Sequence, residues 1–291
     1  MVPPSRDGAG GIGVRCQGVV HLYRTFAGHD VVALQGVTLE IAAGERVALL
    51  GPSGSGKSTL LSLLGGVTRP STGRIFLDDE EISALGPLRL ARMRARTVST
   101  MLQGAGRNLL AYATARQNIR FARLGMAATA RAQAMPEQVL LSRVNLEEQA
   151  DQVVSTMSGG QRQRLALACA VATEPRLLLA DEPTSQLAHE DRDHVLRLIH
   201  GLADEFGSTV VVVTHQPDVA ARFPRNLTMR GGRVGSESRT GAEFVVVGPE
   251  GSLHLPHGLD NDFPQGTLVK FEHDEHGRVV MSRPDAGEAG E

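Results

Sequence analysis

Residues 14–23 and 31–41 alternate between apolar and polar side chains. Alternation with a period of two predicts half-buried antiparallel strands. Three later segments, at residues 47–50, 176–180 and 208–213, are apolar almost throughout. Such runs are typical of strands that are buried on both faces of a parallel sheet. The pattern therefore predicts an antiparallel sheet followed by a largely parallel one.

Segments with helical periodicity lie between the three buried strands. From about residue 103 to residue 155 the chain is rich in Ala and Arg and carries no buried-strand pattern, which indicates a helical insertion in an α/β core. The predicted helices lie at residues 58–64, 88–96, 118–124, 136–144, 162–173 and 191–205, and further short strands at 73–77 and 97–103.

A glycine-rich loop joins the strand at 47–50 to the following helix and reads Gly51-x-x-x-x-Gly56-Lys57-Ser58. Glycines let several backbone N–H groups converge on one phosphate, Lys57 adds positive charge near the β- and γ-phosphates, and the Ser58 hydroxyl can bind Mg²⁺. The alternative is a glycine-rich surface turn. The predicted nucleotide-binding residues of this loop are Gly51, Ser53, Gly54, Ser55, Gly56, Lys57, Ser58 and Thr59.

The other two buried strands also end in polar residues. Asp181 and Glu182 follow the strand at 176–180, and His215 follows the strand at 208–213. Asp181 can hold Mg²⁺ and Glu182 can orient or deprotonate a water, although two acids in a loop can also simply face solvent, and a lone histidine after a strand is usually a polar end. Parallel strands bring their carboxyl ends to one sheet edge, so the three motifs together predict a nucleotide site.

Two further motifs are less specific by themselves. Ser158-Gly159-Gly160-Gln161 opens the helix at 162–173, where Ser158 suits an N-cap and the glycines let backbone N–H groups approach an anion. Tyr23 lies 28 positions before Gly51 in a chain with only two Tyr and no Trp. It is equally consistent with stacking on an adenine ring and with an ordinary aromatic residue at a strand end.

Composition narrows the functional class. Hydrophobic residues make up 41% of the 291 residues, no apolar run approaches the ~18–20 residues of a membrane span, and no export signal is evident, so we expect a cytoplasmic protein. The net charge of -2 gives no general attraction to nucleic acid. Cys16 and Cys169 are predicted to be small buried side chains rather than a disulfide or a metal site.

In the order and spacing of these motifs, residues 14–234 resemble the ATP-binding-cassette (ABC) ATPase family. GPSGSGKST resembles its Walker A motif, MSGGQRQR its signature, LLLADEPT its Walker B motif, Gln103 its Q-loop, His215 its switch histidine and Tyr23 its A-loop. The resemblance implies an α/β P-loop NTPase cassette with a RecA-like mixed sheet core, an antiparallel β subdomain and a helical subdomain.

The resemblance also implies a mechanism. Two cassettes, as a homodimer or with a second cassette, face each other head to tail and bind ATP between Walker A of one and Ser158, Gly159, Gly160 and Gln161 of the other. Glu182, His215 and Lys57 take catalytic roles, Tyr23 stacks on adenine, and Mg²⁺ is held by Ser58, Gln103 and Asp181. The partner is a separate transmembrane permease, which places the chain peripherally at the cytoplasmic face of the cell membrane; no nucleic acid is expected.

One position departs from the family pattern. The segment after Walker B usually reads SALD, whereas here Ala188 takes the place of the aspartate that helps to couple the two sites. Within the family, the chain is most like the MacB/LolD/FtsE-type cassettes that serve FtsX/MacB-type permeases for export, lipoprotein extraction or transmembrane signalling. An amino-acid importer cassette and a soluble, non-transporting ABC ATPase are the alternatives.

The ends of the chain differ from this core. We expect a disordered N-terminus at 1–13, an ABC domain at 14–240 with its helical subdomain at about 103–160, a small β-rich appendage at 241–284 and a disordered tail at 285–291. The appendage has predicted strands at 244–247, 252–255, 267–271 and 278–281 and weakly resembles swapped-hairpin, AbrB-like domains. Residues 241–291 contain ten acidic and three basic residues, a net charge of -7, which disfavours DNA binding.

Overall fold

A seven-stranded mixed sheet forms the centre of the computed structural model, which describes residues 10–24, 30–185, 187–239, 242–247, 253, 262–264 and 267–283. Five of its strands run parallel, and β10 and β11 are antiparallel at one edge. The strand order is β11 (Ala242–Val245), β10 (Arg233–Arg239), β9 (Arg225–Arg230), β3 (Arg46–Leu50), β8 (Thr209–Thr214), β7 (Leu177–Asp181) and β6 (Val98–Met101). The predicted mixed sheet is confirmed.

A second, antiparallel sheet packs beside this one. The first two of its strands are the two alternating segments of the sequence, which pair along their length from Val14 opposite Ile41 to Arg24 opposite Asp30. Its strand order is β2 (Asp30–Ile41), β1 (Val14–Arg24), β4 (Thr72–Leu77) and β5 (Glu80–Glu81).

Eight α-helices occur in the described part of the chain. Two of them begin with a capping box, in which a side chain and the backbone at the helix start exchange hydrogen bonds: Thr114 with Gln117, and Ser158 with Gln161. The helices are α1 (Lys57–Leu64), α2 (Pro87–Thr97), α3 (Ala115–Ala122), α4 (Ala128–Gln133), α5 (Glu137–Arg143), α6 (Gly159–Val171), α7 (His189–Phe206) and α8 (Pro217–Ala220). Helices α3 to α5 lie within the predicted helical insertion, and α6 corresponds to the helix predicted separately at 162–173.

Both faces of the central sheet are buried, which explains its apolar strands. On β8, Val210 and Val212 pack into a core with helices α3, α5, α6 and α7. Val211 and Val213 on the same strand pack into a second core with α1 and the antiparallel sheet. Each such side chain contributes about 1.5–3 kcal/mol by burial. No helix in the described residues is both long enough and apolar enough to cross a bilayer.

The start of the chain differs from the prediction of disorder at 1–13. Residues 10–13 are ordered against the central sheet, where Ile12 is buried and its N–H donates to Thr209 Oγ1 over 2.9 Å. The side chain of Arg176 donates to the carbonyls of Gly10 and Gly11. These long-range contacts hold a glycine-rich segment whose composition alone predicts disorder; residues 1–9 lie outside the described part.

The C-terminal segment also differs in one respect from the predicted domain boundary at residue 240. Strand β11 pairs with β10, so the central sheet continues past that position. A separate two-stranded sheet follows, formed by β12 (Lys270–His273) and β13 (Val279–Ser282). These strands lie near three of the four predicted ones, while 252–255, apart from residue 253, and the predicted tail at 285–291 lie outside the described residues.

Candidate active site

The glycine-rich loop leads from the end of β3 into α1, and its shape requires glycine at two positions. Gly56 has a φ of 96°, and a Cβ there would lie 2.5 Å from the carbonyl oxygen of Ala33. A Cβ on Gly51 would overlap the carbonyl oxygen of Met229. The loop is thus clamped between β2 and the end of β9, and larger residues would displace it.

Lys57 is buried at the first turn of α1. Its Nζ donates to the carbonyl oxygens of Gly51 (2.7 Å) and Pro52 (2.8 Å), so the ammonium group lies across the loop. Burial lowers the pKa of Lys57, while the negative charges of Glu182 and Asp181 act in the opposite direction. The loop therefore holds a cation beside two carboxylates.

Asp181 lies at the carboxyl end of β7, half-buried, with the side chain of Ser58 as a hydrogen-bond partner. Burial raises its pKa, and the bond from Ser58 and the positive charges of Lys57 and Arg107 offset part of that effect. Its Oδ1 atom is buried and has no hydrogen-bond partner among the described residues. An orphaned carboxylate oxygen beside a serine hydroxyl is the donor set that Mg²⁺ prefers.

Glu182 and His215 form a close pair. Nδ1 of His215 lies 2.6 Å from Oε1 of Glu182, which is only 6% exposed. The backbone of Glu182 is left-handed, with a φ of 48°, and its N–H donates to the carbonyl of Val213 on β8. Strands β7 and β8 are neighbours, so the pair results directly from the sheet order.

Tyr23, at the end of β1, is brought to the phosphate-binding loop. Its hydroxyl lies 3.3 Å from Oγ1 of Thr59, and the ring packs edge-on against His21 with 4.7 Å between the ring centroids. The ring is 43% exposed, which leaves a face available for stacking.

Gln103 follows β6 and is exposed. Its loop is braced by Asn108, whose Oδ1 accepts from the N–H of Leu102 over 2.8 Å and whose Nδ2 donates to the carbonyls of Leu102 and Gly104. Arg107 in the same loop exerts its charge on Asp181. Our site prediction did not include Asn108 and Arg107, because their roles depend on the loop conformation.

The signature segment starts α6 at an exposed position. Gln161 N–H donates to Ser158 Oγ over 3.2 Å, and Ser158 N–H donates to Gln161 Oε1 over 2.8 Å. Gln161 was predicted to bind nucleotide, and in this structure its side chain caps its own helix. Ser158 and Gly159 face solvent, and no atom lies within 4 Å of a Cβ placed on Gly159.

Gln163, like Asn108 and Arg107, was not among the predicted site residues. It connects α6 to the loop after β7 that contains Glu182. It is buried in α6, and its Nε2 donates to the carbonyl of Pro183, the residue after Glu182. The signal in the sequence was a polar residue on an otherwise apolar helix face. Ala188, the departure noted in the sequence, is the N-cap of α7 and provides no side-chain cap.

Comparison with known proteins finds one family profile and several relatives that are similar in sequence to this chain. A sequence profile described as ABC transporter matches residues 34–185. The lipoprotein-releasing system ATP-binding protein LolD of Chromohalobacter salexigens is 35% identical over 225 residues, which cover 77% of this chain and 94% of LolD. The macrolide export ATP-binding/permease protein MacB of Rhodopirellula baltica is 40% identical over 219 residues, or 75% of this chain but only 32% of MacB.

A solved structure agrees with these sequence matches. The dimeric ATP-binding cassette MJ0796, in a post-hydrolysis state bound to ADP and Pi, superposes with a TM-score of 0.68 and 32% identity. The match covers 78% of this chain and 98% of that structure.

Proposed function

Because this chain belongs to the ABC transporter family and is an ATPase of that family, we propose that it acts as a dimer of cassettes that drives a separate membrane permease. The observation that carries the hydrolytic part of the proposal is the close Glu182–His215 pair next to Asp181 and Lys57 at one sheet edge. A lone phosphate-binding loop would bind nucleotide, whereas this arrangement also provides a group that can activate water.

The phosphate-binding loop holds the triphosphate of ATP. Backbone N–H groups of the loop and the N-terminus of α1 face the phosphates, Lys57 exchanges its loop carbonyls for phosphate oxygens, and Tyr23 stacks on adenine. Ser58 and Asp181, with Gln103, would hold Mg²⁺, which when bound would supply positive charge to offset that of the phosphates.

Hydrolysis depends on Glu182. Its buried carboxylate, fixed by His215 and by its own backbone bond to Val213, orients a water toward the γ-phosphate and accepts a proton from it. A positioned base of this kind contributes about 10²–10⁴-fold in rate. His215 is half exposed, so it can contact both Glu182 and the phosphate.

The second half of each site comes from another cassette. Ser158 and Gly159 are exposed and Gly160 is half-buried at the start of a 13-residue helix, whose N-terminus favours an anion. The related cassette MJ0796 is dimeric with ADP and Pi. In our proposal Ser158 and Gly160 reach the γ-phosphate bound by the partner, so a single subunit hydrolyses ATP poorly.

The permease docks in a groove next to the Gln103 loop. The groove has a volume of about 720 Å³ and lies between α2, the loop after β6, and helices α3 and α6. Leu102 and Phe121 are exposed apolar side chains in its lining, and Arg94 and Arg107 add positive charge. One wall of the groove is therefore the loop that carries Gln103. A permease segment bound in the groove contacts this loop and so responds to nucleotide binding. In this proposal the chain lies at the cytoplasmic face of a membrane.

Purification of the tagged full-length protein from membranes tests the proposal. We expect a polytopic membrane protein to co-purify in fixed stoichiometry and to raise ATP turnover of the chain. Recovery of a fully active enzyme with no membrane subunit would contradict the proposed role while leaving the ATPase assignment intact.

A further inference from the structure

A carboxylate lies directly against the signature turn. The three atoms nearest to a Cβ placed on Gly160 all belong to Asp191: Oδ2 at 3.2 Å, Cγ at 3.3 Å and Oδ1 at 3.4 Å. Asp191 is in the first turn of α7 and is partly buried. The first turns of α6 and α7 are therefore in contact through one glycine and one acidic side chain.

The charge of Asp191 is not neutralised by a partner within the described chain. No ion pair joins it to a described basic side chain, and its neighbour Arg192 is bonded to Asp218 instead. The nearby imidazole of His194 has a pKa lowered by burial and by Arg164 and Arg197, with Asp191 acting in the opposite direction. Asp191 thus presents a negative charge at the N-terminus of α6.

Two anions at one helix N-terminus oppose each other. The N-terminus of α6 attracts negative charge, and the Asp191 carboxylate already benefits from that attraction. A γ-phosphate that approaches Gly160 meets both the favourable helix end and the unfavourable carboxylate. Two unit charges about 4 Å apart change a binding constant by about fivefold in bulk water and by more where water is partly excluded.

We propose that Asp191 is a positioning residue that sets how much ATP is needed to close the dimer, by opposing the γ-phosphate at Gly160. This inference rests on the proposed function, in which the signature turn engages nucleotide held by a second copy. Asp191 lies three positions after Ala188, the position at which the family pattern has an aspartate.

The test uses the full chain with Glu182→Gln, which retains ATP in the closed dimer. The ATP concentration at half-dimerisation is measured by sedimentation velocity with and without Asp191→Asn or Asp191→Ser. Both neutral variants should lower it by about fivefold or more. Glu190→Gln removes the same charge from the neighbouring exposed residue of the same helix turn and should leave the midpoint unchanged.

A second measurement separates this role from a structural one. Binding of a fluorescent ATP analogue to the monomer, at protein concentrations below dimerisation, should be equal in all variants because Asp191 does not contact the phosphate-binding loop. Loss of a merely stabilising carboxylate would instead raise the dimerisation midpoint. Equal midpoints for Asp191→Asn and Glu190→Gln, or a raised midpoint, would overturn the inference. Failure of the Glu182→Gln parent itself to dimerise would reject the proposed function.

Discussion

Nδ1 of His215 lies 2.6 Å from Oε1 of Glu182, although 33 positions separate the two residues in the chain. Strand pairing accounts for this proximity, because each residue follows one of two neighbouring parallel strands. The contact fixes a buried carboxylate whose backbone already has an unusual φ of 48°. Such local strain is typical of sites where a side chain must be aimed at a ligand.

Glu182→Gln should abolish hydrolysis while preserving ATP binding. The amide has the shape of the carboxylate but cannot accept a proton from water, so turnover should fall by about 10²–10⁴-fold. Phosphate release measures this loss, and sedimentation should show a dimer that persists with ATP. Glu190→Gln is the control for the charge change. Normal turnover in Glu182→Gln would remove Glu182 from the mechanism.

Asp181→Asn should stabilise the nucleotide-free protein at pH 7. Burial raises the pKa of Asp181 above its ordinary value of 3.8, so the folded state binds this proton more tightly than the unfolded chain does. The charged carboxylate therefore destabilises the folded state at pH values above the raised pKa. This penalty decreases as the pH falls and disappears below the pKa of the unfolded chain. Thermal unfolding at pH 7 and about pH 4 should show a gain that shrinks at the lower pH.

Magnesium distinguishes this effect from a general change in stability. Mg²⁺ with ATP should raise the melting temperature of the parent protein more than that of Asp181→Asn, because the variant lacks a metal ligand. Asp79→Asn, at an exposed position, should resemble the parent in both measurements. A nucleotide-free Asp181→Asn protein less stable than the parent at pH 7 would contradict the assigned burial penalty.

Tyr23→Ala should weaken ATP binding by about 1–2 kcal/mol, or about 5–30-fold, through loss of the stacking surface. Tyr23→Phe loses only the hydroxyl contact with Thr59 and should retain most of the affinity. Equilibrium binding of ATP measures both. Tyr112→Ala alters the other tyrosine, which is 80% exposed, and should have no effect. Equal affinities for Tyr23→Ala and the parent would exclude stacking.

Phe121→Asp should disrupt docking of the permease. Phe121 is 56% exposed and lines the groove, so a charge at this position should weaken association by about 2 kcal/mol or more if it is a central contact. Co-purification measures the association, and basal hydrolysis by the isolated chain should not change. Tyr112→Asp, outside the groove lining, is the matched control. Undiminished co-purification of Phe121→Asp would place the docking surface elsewhere.

Ala188→Asp should stabilise α7 and increase coupling between the two nucleotide sites. Ala188 is an N-cap without a side-chain bond, and an aspartate there gains about 1 kcal/mol. Ala127→Asp adds a cap to α4 in the same way and should match the stability gain. Only Ala188→Asp should raise the Hill coefficient for ATP hydrolysis. Identical kinetics in the two variants would show that the missing aspartate has no coupling role here.

The strands and the chemical motifs could be predicted from the sequence because both are local patterns. Alternating residues in β1 and β2, apolar runs in β7 and β8, and the Gly51–Ser58 loop each identify their element without knowledge of its neighbours. The glycine spacing of this loop and the acidic residues at the end of β7 likewise indicate a site for nucleotide phosphates. The common sheet edge of Asp181, Glu182 and His215 also followed, since parallel strands align their carboxyl ends.

Contacts between distant segments were decided by the tertiary structure. Ordering of Ile12 by Thr209, the Gln163 bond to Pro183, and the position of Asp191 against Gly160 each join residues from different elements. Composition predicts neither such partners nor their distances, because they depend on how helices and sheets pack around two cores. The sequence by itself thus determined which groups we propose to act on ATP, and packing alone decided which side chains lie against them.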